Sequence, residues 1–235
     1  MNDLRREGRS GYYYALAIGP PAPKERIMKN LIVAAFAATV LSVMTPCDGA
    51  AQQPPADPEV GIDHLALRNI PARGGAKLTV SSPAFPAGGD IPFENTQYRG
   101  NVFPGLAWSA GPSGTRSYVI IMQDTDAMRQ GAPILHWTMA NIPANVTKLD
   151  AGMTAAPAGA QHGPNIRGAN QPYMGPRTPA GPKHRYHFQV FALDTTLPAE
   201  ATATYAALTA AMKDHVLASG ETIGLGQVAP AGGGF

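Results

Sequence analysis

The chain has 235 residues, 44% hydrophobic and 14% charged, enough for one domain with a sizeable core and short for two. Its 26 glycines and 23 prolines favour short elements joined by many turns over a helical bundle. Six of the 18 Lys/Arg and four of the 16 Asp/Glu precede Gln52, which leaves twelve of each beyond it; without a basic stripe that part is not built for nucleic acid.

Leu31 to Met44 is an almost unbroken apolar run, with Lys29 before it, Thr45-Pro46 after it, and small residues Gly49-Ala50-Ala51 at the exit. That pattern predicts a secretory signal peptide over 28–51 and a periplasmic or secreted product. The run is too short to cross a bilayer, so no transmembrane span is expected in the mature protein. A start at Met28 gives the signal its usual shape and leaves 1–27 as a mis-assigned extension. The single cysteine, Cys47, follows Pro46, where a lipid-anchoring signal wants a small residue. Soluble export is the expectation.

Residues 52–75, rich in Pro, Ala and Gly, read as a tether and edge segment, and 76–235 as the folded domain. Leu78-Thr79-Val80 is a short strand broken by Pro83, Pro86, Gly88 and Gly89. Thr115 to Asp124 (TRSYVIIMQD) is a near-continuous apolar strand with Asp124 at its exit. Leu135 to Ile142 and His184 to Leu193 are further strands. Between these two lies a loop, 151–182, with six glycines and six prolines, a length that usually carries function. Ala203 to Leu217 has helical spacing, with Tyr205, Leu208, Met212 and Val216 on one side. Strands followed by one helix predict a mainly β fold with helical cover.

Several signatures are absent: no phosphate-binding glycine loop, no H-E-x-x-H pair, no cysteine cluster and no G-x-S-x-G elbow. No metal or cofactor is expected. What remains is a series: Asp124-Thr125-Asp126-Ala127, His136-Trp137, Asn141-Ile142-Pro143, Tyr173-Met174-Gly175-Pro176 and His184-Arg185-Tyr186. In this order, with Gly100-Asn101 and Trp108 upstream and Ala192-Leu193-Asp194 downstream, the chain resembles the phosphatidylethanolamine-binding protein family in its bacterial form. The resemblance runs from about Leu78 to Gly226.

It implies a large antiparallel sheet packed with a smaller one, a C-terminal helix, and a surface pocket for a phosphate-like anion or phospholipid headgroup. The pocket residues it implies are Asp124, His136, Gly175, His184 and Tyr186, with Trp137, Met128 and Pro176 as further wall. On a strand, His184 and Tyr186 share a face while Arg185 and His187 point away. Two imidazoles and a phenol can donate to one oxyanion, Gly175 lets backbone come close, and Asp124 orients one imidazole. Family members commonly carry proline where this chain has Thr125 and Met128, and Phe103 is bulkier than usual, so the rim is expected to differ.

His64, His162 and His187 read as structural, His215 as a helix residue, and Arg185 as an ion-pairing or backbone-bonding residue. Three functions follow. The first is an exported, non-catalytic anion binder. The second is a modulator that inhibits a protease or kinase by protein contact. The third is a hydrolase using Asp124, His136 and His184, which lacks a serine or cysteine in any of these motifs.

Overall fold

A computed structural model describes residues 52–228. The expected signal peptide and the 1–27 extension lie outside the described residues. In chain order the regular elements are α1 (Ala66–Asn69), β1 (Ala76–Lys77), β2 (Val80–Ser81), β3 (Leu106–Trp108), β4 (Ser117–Arg129) and β5 (Ala132–Pro143). They continue with β6 (Lys148–Leu149), β7 (Gln161–His162), β8 (His184–Leu193), α2 (Tyr205–Met212) and β9 (Val216–Gly226). Six strands form one sheet in the order β1-β9-β8-β4-β5-β7, and β2-β3-β6 form a smaller one. The fold is mainly β, as the sequence indicates. The large sheet is mixed, however, because the short edge strand β1 runs parallel to β9 while its other pairings are antiparallel.

The large sheet is a middle layer. One face packs Ile120, Met122, Met139, Phe188 and Val190 against Val80, Leu106, Trp108 and Leu149 of the small sheet. The other packs Val119, Ile121, Phe191 and Leu193 against Ile70 beside α1 and against Leu208 and Met212 of α2. Burial on both faces is why β4 reads as a continuous apolar run, whereas β8 alternates until Phe191-Ala192-Leu193.

Two expectations change. The helix stops at Met212, where Lys213 and the left-handed Asp214 (φ 65°) turn the chain, so Val216 does not continue it. Residues 216–226 instead form β9, which pairs along the whole of β8. The helix is thus followed by a strand that fills the gap between β8 and β1. His215 lies in the turn between them, its Nδ1 2.7 Å from Asp194 Oδ1. The 52–75 segment, expected as a tether and edge segment, also packs inward. Leu65 and Ala66 are 1% exposed, and the Ala66 and Leu67 amides donate to the Gln123 and Gln189 side chains. Among the described residues no helix is long and apolar enough to cross a membrane.

Candidate functional site

The Asp124 and His136 side chains owe their placement to irregularities in β4 and β5. Met122 pairs with Trp137 and Gln123 with Leu135, so His136 is an extra residue, a bulge in β5. A bulge breaks the alternation of faces and re-aims a side chain. A second one, in β4, covers 125–127, since Asp124 pairs with Ile134 and Met128 with Pro133. It turns Asp126 towards Arg185, whose Nε and Nη2 donate to Asp126 Oδ2 (2.9 Å) and Oδ1 (2.6 Å).

Asp124 lies opposite Tyr186 in the β4–β8 register, and His184 follows on the same face. His184 Nδ1 is 2.9 Å from Asp124 Oδ2, and the Asp126 amide donates to Asp124 Oδ1 at 3.0 Å. His136 Nδ1 is 3.0 Å from the Met174 carbonyl, which only accepts, so Nδ1 carries the proton. The His136 and Tyr186 rings meet edge to face at 4.9 Å.

The two imidazoles are tuned in opposite directions. Burial lowers the pKa of His136, beyond what Asp124 and the backbone contacts at Met174 and Gly175 restore, and His184's charge lowers it further. Burial also opposes protonation of His184, but the hydrogen bond and charge of Asp124, helped by Asp126, outweigh it and raise the pKa. Each Nε2 is left without a protein partner among the described hydrogen bonds. A neutral His136 therefore offers an acceptor there, and a protonated His184 a donor.

The expected site residues divide accordingly. Asp124, His136, His184 and Tyr186 come together. Tyr186 is fully buried with its hydroxyl 3.1 Å from Thr178 Oγ1, and burial holds its pKa well above the usual phenol value. Tyr186 thus lies beneath the histidines, its hydroxyl paired with Thr178. Gly175 does let backbone approach: the Asn95 backbone comes close on one side, and Gly175's own backbone reaches His136. A Cβ there would overlap the Asn95 carbonyl and fall 3.0 Å from Asn101 Oδ1. The Gly175 amide is already taken by Asn101 Oδ1 at 2.7 Å.

Trp137 is core instead of wall: it is unexposed, lies against Phe103 at 5.1 Å and donates from Nε1 to His162. Phe103, 2% exposed, is part of the same cluster and does not reshape the rim. Met128 sits exposed at the end of β4, opposite Pro133, and is not brought to the histidines. Pro176 is buried, its carbonyl accepting from the Gln97 amide at 2.9 Å.

Sequence reasoning did not find what holds the long loop in place. Asn101, at φ 53° after Gly100 at φ 78°, clamps it from both sides of its carboxamide, its Nδ2 donating to the Tyr173 carbonyl at 2.9 Å. Gln97 donates to the Gly175 carbonyl at 2.7 Å, and Tyr173 donates to the Asn95 carbonyl at 2.9 Å. The Gly100-Asn101 pair was the available signal, because glycine followed by asparagine marks a left-handed turn. His187 and Arg185, pointing away from the site, anchor the preceding segment: His187 lies between Glu59 (3.0 Å) and Glu221 (2.8 Å), and Arg185 also pairs with Glu59. Gly175→Ala is expected to cost about 2 kcal/mol, as an overpacked site that must shift backbone. A change below about 0.5 kcal/mol in urea melts would show that the loop yields freely.

Residues 81–227 match the family model described as phosphatidylethanolamine-binding protein. A UPF0098 protein of Methanothermobacter thermautotrophicus is 35% identical over 151 residues, 63% of this chain and 97% of the relative. The UPF0098 protein YbcL of Escherichia coli is 44% identical over 102 residues, 41% of this chain and 55% of the relative. The solved structure of Escherichia coli YbcL, described as a member of the mammalian PEBP family, superposes with a TM-score of 0.59 at 29% identity, covering 66% of this chain and all of that one. A PEBP homologue from Chlamydia trachomatis gives 0.59 at 30% identity, covering 65% and 99%.

Proposed function

The chain belongs to the phosphatidylethanolamine-binding protein family, and from that premise we propose that it is an exported, non-catalytic binder of a phosphate-like anion held between His136 and His184. One observation carries the reading: both Nδ1 atoms are tied down, by Met174 and by Asp124, leaving both Nε2 atoms for a ligand. With opposite pKa shifts, one ring accepts and the other donates. That pair complements a phosphomonoester carrying one proton, whose P–OH donates to His136 and whose P–O⁻ accepts from His184. A free phosphomonoester has this chemistry, whereas a phospholipid headgroup, as a phosphodiester without a P–OH, offers only the acceptor for His184.

Calorimetric titration of phosphoethanolamine tests it. Each hydrogen bond to a charged group is worth about 1.5–3 kcal/mol, so His136→Ala or His184→Ala is expected to weaken binding about ten- to a hundredfold. Equal affinity in wild type and both variants would place the ligand elsewhere. The export half of the proposal rests on the apolar run 31–44 and its small-residue exit. N-terminal sequencing of protein from the extracytoplasmic fraction is expected to begin near Gln52, and recovery there with residues 31–44 still attached rejects it.

A further inference from the structure

A cleft of about 420 Å³ opens between α1 and α2, on the opposite side of the large sheet from the small sheet, and shares no residue with the histidine site. Its volume is that of a small-molecule site. The cause lies in the sequence of the two helices. Leu208 and Met212 of α2 are buried on the sheet, but the flank facing α1 carries Ala206 and Ala210. Across the gap stand Ala66 and Ala132. Methyl groups replace the larger side chains that close most helix contacts, and the space between the helices stays open.

A second cavity of about 260 Å³ adjoins it, lined by Ile134, Leu135 and Ile166, and the two share Ala132 and Tyr205. Tyr205 is the larger of the two shared residues. Burial raises its pKa to about 12, against a smaller opposing effect of Gln123, so its hydroxyl stays protonated at neutral pH and can donate to a ligand. Lys213 lines the first cavity and Arg129 the second, while no carboxylate lines either. The charge is thus one-signed over an apolar floor.

We propose that this cleft is a second ligand site, for a single amphipathic anion of the medium-chain carboxylate type. Its carboxylate pairs with Lys213, and its chain lies over Ala206 and Ala210 towards Ala132 and Tyr205. A single molecule fits better than a bilayer. The exposed large apolar side chains among the described residues, Val60, Val102 and Met128, do not line the cleft, so nothing beside it inserts into lipid.

Titration of decanoate into the full-length chain, below its micellar concentration, tests the site. Decanoate is expected to bind at least tenfold more tightly than decylamine, which has the same chain and the opposite charge. Lys213→Glu removes the ion pair and Ala210→Leu fills the floor; both positions are exposed, so both variants keep the fold. Each is expected to weaken decanoate at least tenfold, and saturating phosphoethanolamine to leave its affinity unchanged. Failure of wild type to bind decanoate, equal affinity for decylamine, or undiminished binding by either variant overturns the proposal. Competition by phosphoethanolamine overturns it too, by moving the carboxylate to the histidine pair.

Discussion

Phe188→Ala is expected to destabilise the protein by about 3–5 kcal/mol, the range for deleting a buried phenyl ring. Phe188 is unexposed in the middle of the large sheet, paired with Met122 on β4 and Thr222 on β9, and its ring centroid lies 5.6 Å from that of Phe85. β4, β9 and the Phe85 loop therefore lose contacts at once, and the strands on either side prevent the backbone from collapsing into the hole. Against a typical total of about 5–15 kcal/mol, this is a large fraction. The denaturant midpoint is expected to fall with an unchanged slope, and the melting temperature by about 10 °C. Below the new transition, phosphoethanolamine affinity is expected to stay within about twofold, because Phe188 lies a full pleat beyond Tyr186 on the core side. A loss under about 1 kcal/mol would show that the site can close over the missing ring.

Phosphoethanolamine affinity is expected to rise at least about tenfold between pH 8 and pH 6, as His184 gains the proton for one charge-assisted hydrogen bond and the ligand gains the proton it donates to His136. Asp124 raises the His184 pKa above its ordinary value despite burial, so the imidazolium forms as pH falls through that raised value and supplies the Nε2 donor. Burial lowers the His136 pKa and so favours the neutral ring that accepts. The second pKa of a phosphomonoester is about 6, so the monoprotonated ligand that pairs with both rings builds up across the same window, and the gain levels off below about pH 6 once both protons are in place. Asp124→Asn removes the charge that holds the proton on His184. The midpoint is then expected to move to lower pH, with about tenfold weaker binding at pH 7. A profile that is flat in wild type removes His184 from the binding step, and one unmoved by Asp124→Asn assigns the pH dependence to the ligand or to another group.

The same shifts enter stability with opposite signs. The contribution of His184 is complete below the unfolded value of about 6.5 and lost as pH rises through its raised folded value. That of His136 is present above about 6.5 and lost as pH falls through its lowered one.

The sequence by itself determined the mainly β class, the bounds of β8 from His184 to Leu193, and the shared face of His184 and Tyr186, since a two-residue period is local and needs no partner. It also placed Asp124, His136 and His184 among the site candidates, because short ordered motifs survive in one dimension. It did not reveal β9, whose Val216–Gly226 stretch carries glycines where other elements come close; Gly226, for one, lies against the Tyr186 ring and Thr178. A strand defined by what packs on it has little pattern of its own. Nor did it reveal that His136 is a bulge, which moved it out of strict alternation and let Trp137 enter the core beside it. The roles within the site were decided only in three dimensions. Met174 lies 38 positions from His136 and Asp124 lies 60 from His184, and those two contacts, set by how the loop and strands pack, determine which nitrogen carries each proton and which is free for a ligand.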